Sequence, residues 1–374
     1  MVYRAIGLMS GSSLDGLDMA FVSFEEIRGK WSFDLRHQQC VDYPEELKAQ
    51  LAAAASLTPR DFIQLDHDLG VFTGTAVKNF IEAHTLDHQV QLIVNHGHTI
   101  FHDPAKGITT QIGSSAAIAA INSINVIGQL RSLDVALGGQ GAPLVPMGEK
   151  HLFSDYSCFL NLGGIANIAF NPSIQEQQDL SSGASLQAFD VTVCNQALNY
   201  LAGLQGQAYD KDGQTAASGK TDTSLLTALN KLSYFANPAP KSLANQFFTE
   251  IIRPMLDNAQ LSVADKLNTV VAHIAGQIAY AAGSFLPNWN TEDKKIFITG
   301  GGAHNTYLVS RIAAALAPYG IQTSLPENPI IDFKEAIIMG FLGVLRWREE
   351  NTVLANTGAS RPSIGGAVWI GQTY

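Results

Sequence analysis

The stretch Gly7–Phe24, GLMSGSSLDGLDMAFVSF, decides how this chain is read. Tyr3–Met9 is predicted to be a strand, and so is Asp18–Phe24, which is rich in Val and Phe. The turn between them carries Gly11 and Gly16, hydroxyls at Ser10, Ser12 and Ser13, and carboxylates at Asp15 and Asp18. Walker and dinucleotide loops run from a strand into a helix. No helical periodicity follows here, so the pattern is strand–turn–strand. Its glycines and hydroxyls suit either a polar hairpin tip or a cradle for an anion, with a metal beside it.

The pattern returns in Ser157–Phe170, SCFLNLGGIANIAF, with Asn161, Gly163, Gly164 and Asn167 in and beside the turn. Two halves that each begin with such a hairpin suggest a duplicated domain. A third glycine site lies in Lys294–Leu316, KKIFITGGGAHNTYLVSRIAAAL, which is predicted to run strand, Gly300–Gly302, helix, with Asn305 or Thr306 as the cap. A helix N-terminus favours anions. Each site alone reads as an ordinary turn; all three in one chain point to a nucleotide.

The rest of the chain alternates strand and helix, which predicts an α/β class. Tyr43–His84 is predicted to be mostly helical, with Thr58 capping ahead of Pro59. Gln89–Val94 and "INVIGQL" are predicted strands, with a short helix led by Ser114 or Ser115 between them. "RSLDVALGGQGAPLVP" reads as a long loop and domain junction, and Asn171–Gln187 as a polar surface connection. Val191–Leu204, Leu225–Leu232, Ser242–Asp257, Ala264–Phe285 and the segment from Asp332 are predicted helices, and the chain closes on a last strand.

The chain has 374 residues, 46% hydrophobic and 15% charged, with a net charge of -10. That is enough for two domains with real cores. The acidic balance argues against a nucleic-acid partner, which needs Lys and Arg against phosphates. Cys40, Cys158 and Cys194 are too far apart for a disulfide framework or a zinc spacing. No apolar run reaches a membrane span, and the N-terminus enters a strand without a basic leader, so the expected location is the cytoplasm.

The motifs "GLMSGSSLDGLD", "NHGHT", "QIG", "GGQGAPLVP", "NLGGIAN", "YDKDG" with "AASG", "PKSL", "GGGAHN", "KEA" and "TGASR" occur in that order. In these the chain resembles the anhydro-N-acetylmuramic acid kinases along essentially its whole length. The resemblance implies a duplicated ribonuclease-H-like (actin-like ATPase, sugar kinase) fold, with two domains around a central cleft. The expected domains are residues 1–135 with 352–374, and residues 136–351. It implies an enzyme that opens the 1,6-anhydro ring with water and phosphorylates O6 from ATP and Mg²⁺, in peptidoglycan recycling. It also implies a homodimer.

Under that resemblance Gly11, Ser12, Ser13, Leu14, Asp15, Gly16, Leu17 and Asp18 hold phosphates, with Asp15 or Asp18 at the metal. Asn161, Gly163, Gly164, Asn167, Gly300, Gly301, Gly302 and Asn305 complete the nucleotide site. Asp190 matches the family's ring-opening base, although Asp190 as a helix N-cap also fits. Arg131 is the expected partner of the sugar's lactyl carboxylate, with an ion pair to Asp134 as the plain alternative. Glu335, His96 and Thr99 match sugar-side positions; Glu335 could equally complement a helix dipole. Departures from the family pattern stand at Ser12, His98, Ser114, Gln129 and Val191–Cys194.

Two other functions fit parts of the sequence. His96, His98, His102 and Asp103 could form a zinc hydrolase site, because i and i+2 on a strand share a face. An actin-like ATPase or sugar-binding regulator without ring opening fits the changes after Asp190.

Overall fold

A computed structural model describes residues 1–11, 14, 16–170, 187–239, 241–244, 246–285, 294–353 and 358–371. The chain divides into two compact units, residues 1–154 with 333–374, and residues 155–332. These bounds differ from the expected breaks at 135/136 and 351/352. The junction expected to be a loop contains two helices, Ser132–Ala136 and Val145–Leu152, and both belong to the first unit. The long helix Asn328–Trp347 carries the chain back into it.

The first unit is built on β1 (Val2–Ser10), β2 (Leu17–Ile27), β3 (Lys30–Val41), β4 (Leu92–Asn95) and β7 (Val126–Gly128). The sheet order is β3, β2, β1, β4, β7, with β13 (Ala367–Trp369) added at the far edge. β1, β2 and β3 form an antiparallel meander, and β4 runs parallel to both β1 and β7. A separate hairpin pairs β5 (His98–Asp103) with β6 (Ile108–Ile112).

One face of this sheet is covered by the helices Pro59–Ala83 and Ser115–Asn122. Ile6, Leu8, Met19, Phe21 and Ile93 bury there against Val77, Phe80 and Ile118. Thr58 caps the long helix by accepting from the N–H of Asp61, and Ser114 caps the short one by accepting from Ala117. The other face takes helix Asn328–Trp347 at close range. A Cβ on Gly7 would lie 1.9 Å from the Ala336 carbonyl oxygen, so only glycine lets β1 approach that backbone. Phe24 and Phe341 meet beside it, 5.6 Å between ring centroids.

The second unit repeats the plan. Its strands are β8 (Cys158–Leu162), β9 (Ile165–Phe170), β10 (Gln187–Val193), β11 (Lys295–Thr299) and β12 (Gln322–Ser324), in the order β10, β9, β8, β11, β12. β8, β9 and β10 are antiparallel, while β8, β11 and β12 are parallel. With only main-sheet strands counted and β13 set aside, both sheets read three, two, one, four, five. That is the ribonuclease-H-like order, present twice in one α/β chain. Helices Asn195–Gly203, Val263–Ser284 and Thr306–Leu316 pack on one face through Leu198, Leu201, Ile274, Ile278, Leu308 and Ile312.

β3 and β10, the third strand of each meander, differ from the sequence reading. β3 was absent from it, and Val191–Val193, expected to open a helix, instead ends β10. β3 alternates exposed and half-buried residues and so lacks a continuous apolar run. His98–Asp103, to which the sequence assigns no element of its own, forms β5.

Candidate active site

The second sheet sets a row of polar side chains across neighbouring strands. Thr299 on β11 pairs in register with Asn161 on β8, Asn161 with Asn167 on β9, and Asn167 with Asp190 on β10. Residues directly opposite one another in a sheet share a face. Their neighbours Leu160, Leu162, Ala166, Ile168 and Ile298 point the other way, into the core. Strand alternation thus leaves the two asparagines and Asp190 half-buried on the face away from that core.

The glycine turns close around one end of this row. The N–H groups of Cys194 and Gln196 donate to the Gly164 carbonyl at 2.8 and 3.2 Å, and that of Asn195 donates to Gly163 at 3.1 Å. The Asn195 side chain donates to the Leu162 carbonyl at 2.9 Å. Gly300 has φ of 85°, and a Cβ there would lie 2.3 Å from Asn161 Oδ1. Hairpin, helix start and GGG turn are therefore one cluster. Asn305 caps helix Thr306–Leu316 by accepting from Leu308 at 2.9 Å, as the sequence predicts.

Gly300→Ala combines the left-handed backbone with that clash and should destabilise the chain by about 1–3 kcal/mol. Gly203→Ala is the control. It ends a helix, and a Cβ there meets nothing within 4 Å. Urea denaturation of the two variants should separate them, with the control neutral.

Asp190 is not an N-cap; Cys194 holds that position before helix Asn195–Gly203, with no side-chain cap. The Asp190 carboxylate accepts from the Leu243 N–H at 2.8 Å through Oδ2. Its backbone carbonyl accepts from the Tyr234 hydroxyl at 2.6 Å, and its N–H donates to Lys241. Oδ1 has no partner among the described residues. Burial pushes its pKa up, partly offset by the Leu243 N–H. A half-buried carboxylate with one oxygen fixed and one available is suited to take a proton. Burial pushes the neighbouring Cys194 thiol up to about 12, which makes it inert.

The sugar-side candidates lie in the first unit. Arg131 Nε donates to His96 Nε2 at 3.0 Å, and its Nη1 donates to the Gly141 carbonyl at 2.7 Å. His96 Nδ1 stands 2.8 Å from the Gly97 carbonyl. With Nε2 accepting, the proton is on Nδ1, so this ring is neutral. Burial lowers its pKa to about 3, in agreement. Arg131 does not pair with Asp134, whose buried carboxylate accepts from the Gly141 N–H at 2.7 Å. Burial lowers Arg131 to about 10, and the nearby Glu335 charge opposes that shift. Burial likewise raises Glu335, while Lys334 and Arg131 hold it down. Glu335 lies within helix Asn328–Trp347, not at its start. Thr99 is exposed and accepts from Gln111 at 3.4 Å.

Of the first hairpin, Ser12, Ser13 and Asp15 fall outside the described residues. Leu14 has φ of 58° and donates its N–H to the Gly11 carbonyl, and Gly16 and Leu17 lead into β2. Asp18 pairs with Met9 in register, beside Ser10. The Ser10 hydroxyl accepts from Tyr43 at 2.6 Å and lies 2.9 Å from His98 Nδ1.

His96 and His98 do not share a strand. β4 ends at Asn95 and β5 begins at His98, so the zinc geometry inferred from alternation is lost. Among the described residues no group of three or more His, Cys, Asp or Glu could hold a metal. His304, which looked unaccompanied in the sequence, lies 2.6 Å from Asp332. Asn195 was omitted from the sequence-based site; its place at the end of the Asp190–Asn195 motif was the signal available.

Two glycine hairpins, a glycine turn before a helix and a duplicated sheet define a protein of the duplicated ribonuclease-H-like fold. The chain belongs to the anhydro-N-acetylmuramic acid kinase family, whose model matches residues 3–371. Its relatives include the anhydro-N-acetylmuramic acid kinases of Shewanella loihica, 33% identical with 98% of each chain covered, and of Shewanella woodyi, 34% identical with 97% and 98% covered. Among solved structures it is similar to the activator of the 2-hydroxyisocaproyl-CoA dehydratase from Clostridium difficile with bound ADPNP. That likeness has a TM-score of 0.40 and 12% identity, covering 92% of this chain and 96% of that one. The protein is a kinase that uses ATP. No helix among the described residues is long and apolar enough to cross a membrane.

Proposed function

We propose that this kinase opens the 1,6-anhydro ring of anhydro-N-acetylmuramic acid and phosphorylates O6, with Asp190 as the base. The observation that carries this reading is the half-buried Asp190 carboxylate, in register with Asn167 and fixed by the Leu243 N–H. Asp190 takes a proton from water as that water attacks the anomeric carbon. The C1–O6 bond breaks, O6 bonds to the γ-phosphorus, and ADP leaves. The products are N-acetylmuramate 6-phosphate and ADP. General-base catalysis contributes about 10²–10⁴-fold in rate.

The hairpin Gly11–Asp18 holds phosphates, and Asn161–Asn167 with Gly300–Asn305 forms the rest of the nucleotide site. Phosphoryl transfer is chiefly positioning and charge stabilisation. Mg²⁺ fits Asp18, a hard oxygen donor at the hairpin beside Ser10 and Tyr43; Asp15 is the second candidate. Bound with ATP, the ion would neutralise charge on the phosphates. A metal held mainly by phosphates and water needs no cluster of protein ligands. Arg131 and Glu335 belong to the sugar side, together with His96 and Thr99. The enzyme works in the cytoplasm as a homodimer in peptidoglycan recycling.

Oxygen-18 water tests the chemistry. Mass spectrometry of the product from the anhydro sugar and ATP should place the label at C1 and the phosphoryl group on O6. Unlabelled C1, or ATP turnover that ignores the sugar, would contradict it and favour the ATPase or regulator reading.

A further inference from the structure

The first unit contains a cavity of about 260 Å³ lined in part by His96, already placed on the sugar side. It opens between the ends of β4 and β7, the start of helix Ser115–Asn122, and β13. Its walls include Asp66, His96, Gln111, Ser114, Gln129 and Trp369.

Asp66 is the one carboxylate in that lining. It projects from helix Pro59–Ala83, and its Oδ1 accepts from the Gly113 N–H at 2.8 Å. Its backbone carbonyl accepts from the Ser114 N–H at 3.0 Å. The side chain is thus fixed against the turn that forms one wall. Oδ2 has no partner among the described residues. His96, in another wall, is neutral and donates its proton to Gly97, so it supplies no charge to balance Asp66. Arg131 reaches His96 and Gly141 and is absent from the lining.

The cavity therefore offers a negative acceptor, amide and hydroxyl groups, and the indole of Trp369. A carboxylate would be repelled there. A neutral face with O–H or N–H donors and apolar C–H surface would be accepted. We infer that this cavity receives the uncharged hydroxyl and acetamido face of the amino sugar, that Asp66 selects it, and that the lactyl carboxylate is thereby left to the Arg131 side. This rests on the proposed function for its substrate. It adds Asp66 and Trp369 as specificity-determining residues.

The test is calorimetric binding, without ATP, of two probes: anhydro-N-acetylmuramic acid and anhydro-N-acetylglucosamine, which lacks the lactyl group. Asp66→Asn keeps an oxygen for the Gly113 N–H, removes the charge and puts an NH2 donor where the acceptor Oδ2 faced the cavity. It should weaken both probes by about tenfold or more, since a hydrogen bond accepted by a charged oxygen is lost. The KM for ATP should change less than about twofold. Asp68→Asn is the control on the same helix, exposed and bonded to Gln64. In the parent, Trp fluorescence should change on adding either sugar, and Trp369→Phe should abolish that change.

Equal affinities of Asp66→Asn and the parent would overturn the inference. So would an effect confined to the lactyl sugar, which would reverse the orientation. A parallel loss of melting temperature and ATP affinity would show a merely structural role and would also overturn it. If the parent binds the sugars but produces no phosphosugar, the proposed function fails while the cavity assignment stands. Binding of neither sugar removes both.

Discussion

Asp190→Asn is expected to reduce product formation by about 10²–10⁴-fold while ATP binding stays measurable. The substitution is unusually clean. Asparagine keeps an oxygen for the Leu243 N–H, so the strand and its bulge between Asp190 and Thr192 retain their anchor. Stability should not suffer either. The folded-state pKa of Asp190 is raised by burial, so ionising it opposes folding, and that penalty is felt as pH rises through the folded pKa. At neutral pH a neutral amide removes it, and melting should be unchanged or slightly improved. The same shift places the acid limb of parental kcat at higher pH than an exposed aspartate would. Stopped assays across pH, with nucleotide binding by calorimetry, check both statements. A variant that keeps full activity would remove Asp190 from the chemistry.

The sequence exposed the two glycine hairpins and the GGG turn because backbone geometry demands them. Gly300, at φ of 85° and 2.3 Å from Asn161 Oδ1 for any added Cβ, has no substitute of equal size. The third strands were hidden for a different reason. β3 lies at a sheet edge, where half of its residues face water and no apolar run is required. β10 ends in Val191–Val193, whose apolar residues suit either a strand or a buried helix turn. The pairing of Asp190 with Asn167 is a matter of register, which depends on contacts distant in sequence. Arg131 illustrates the same limit. Its nearness to Asp134 in sequence suggested an ion pair, while the fold gives its guanidinium to His96, 35 positions away. Asp66, far from every glycine motif, carried no local signal.

Lys334→Ala should destabilise the first unit by about 3–5 kcal/mol, the largest loss of stability expected from any single side chain discussed. Lys334 Nζ lies 2.8 Å from Glu149 Oε1, and both side chains are almost fully buried, 4% and 3% exposed. Glu149 Oε2 is buried and lacks a hydrogen-bond partner among the described residues, so this carboxylate depends heavily on the lysine. Removing the ammonium strands a charge that burial already penalises. It also takes away the larger of the two cationic charges that hold Glu335 down against burial, so Glu335 should rise further. Glu335 is more costly when ionised without Lys334. The deficit relative to the parent should therefore be greatest at alkaline pH and shrink as pH falls and Glu335 protonates. Urea denaturation at pH 5 and pH 8 checks that sign; a deficit that grows toward acid would contradict it. Replacing both partners, Lys334→Met with Glu149→Leu, removes the two charges together and should recover most of the loss. Because Glu335 shares this environment with Arg131, sugar affinity should fall in Lys334→Ala and return only in part in the double variant, which leaves Arg131 to hold Glu335 down without Lys334.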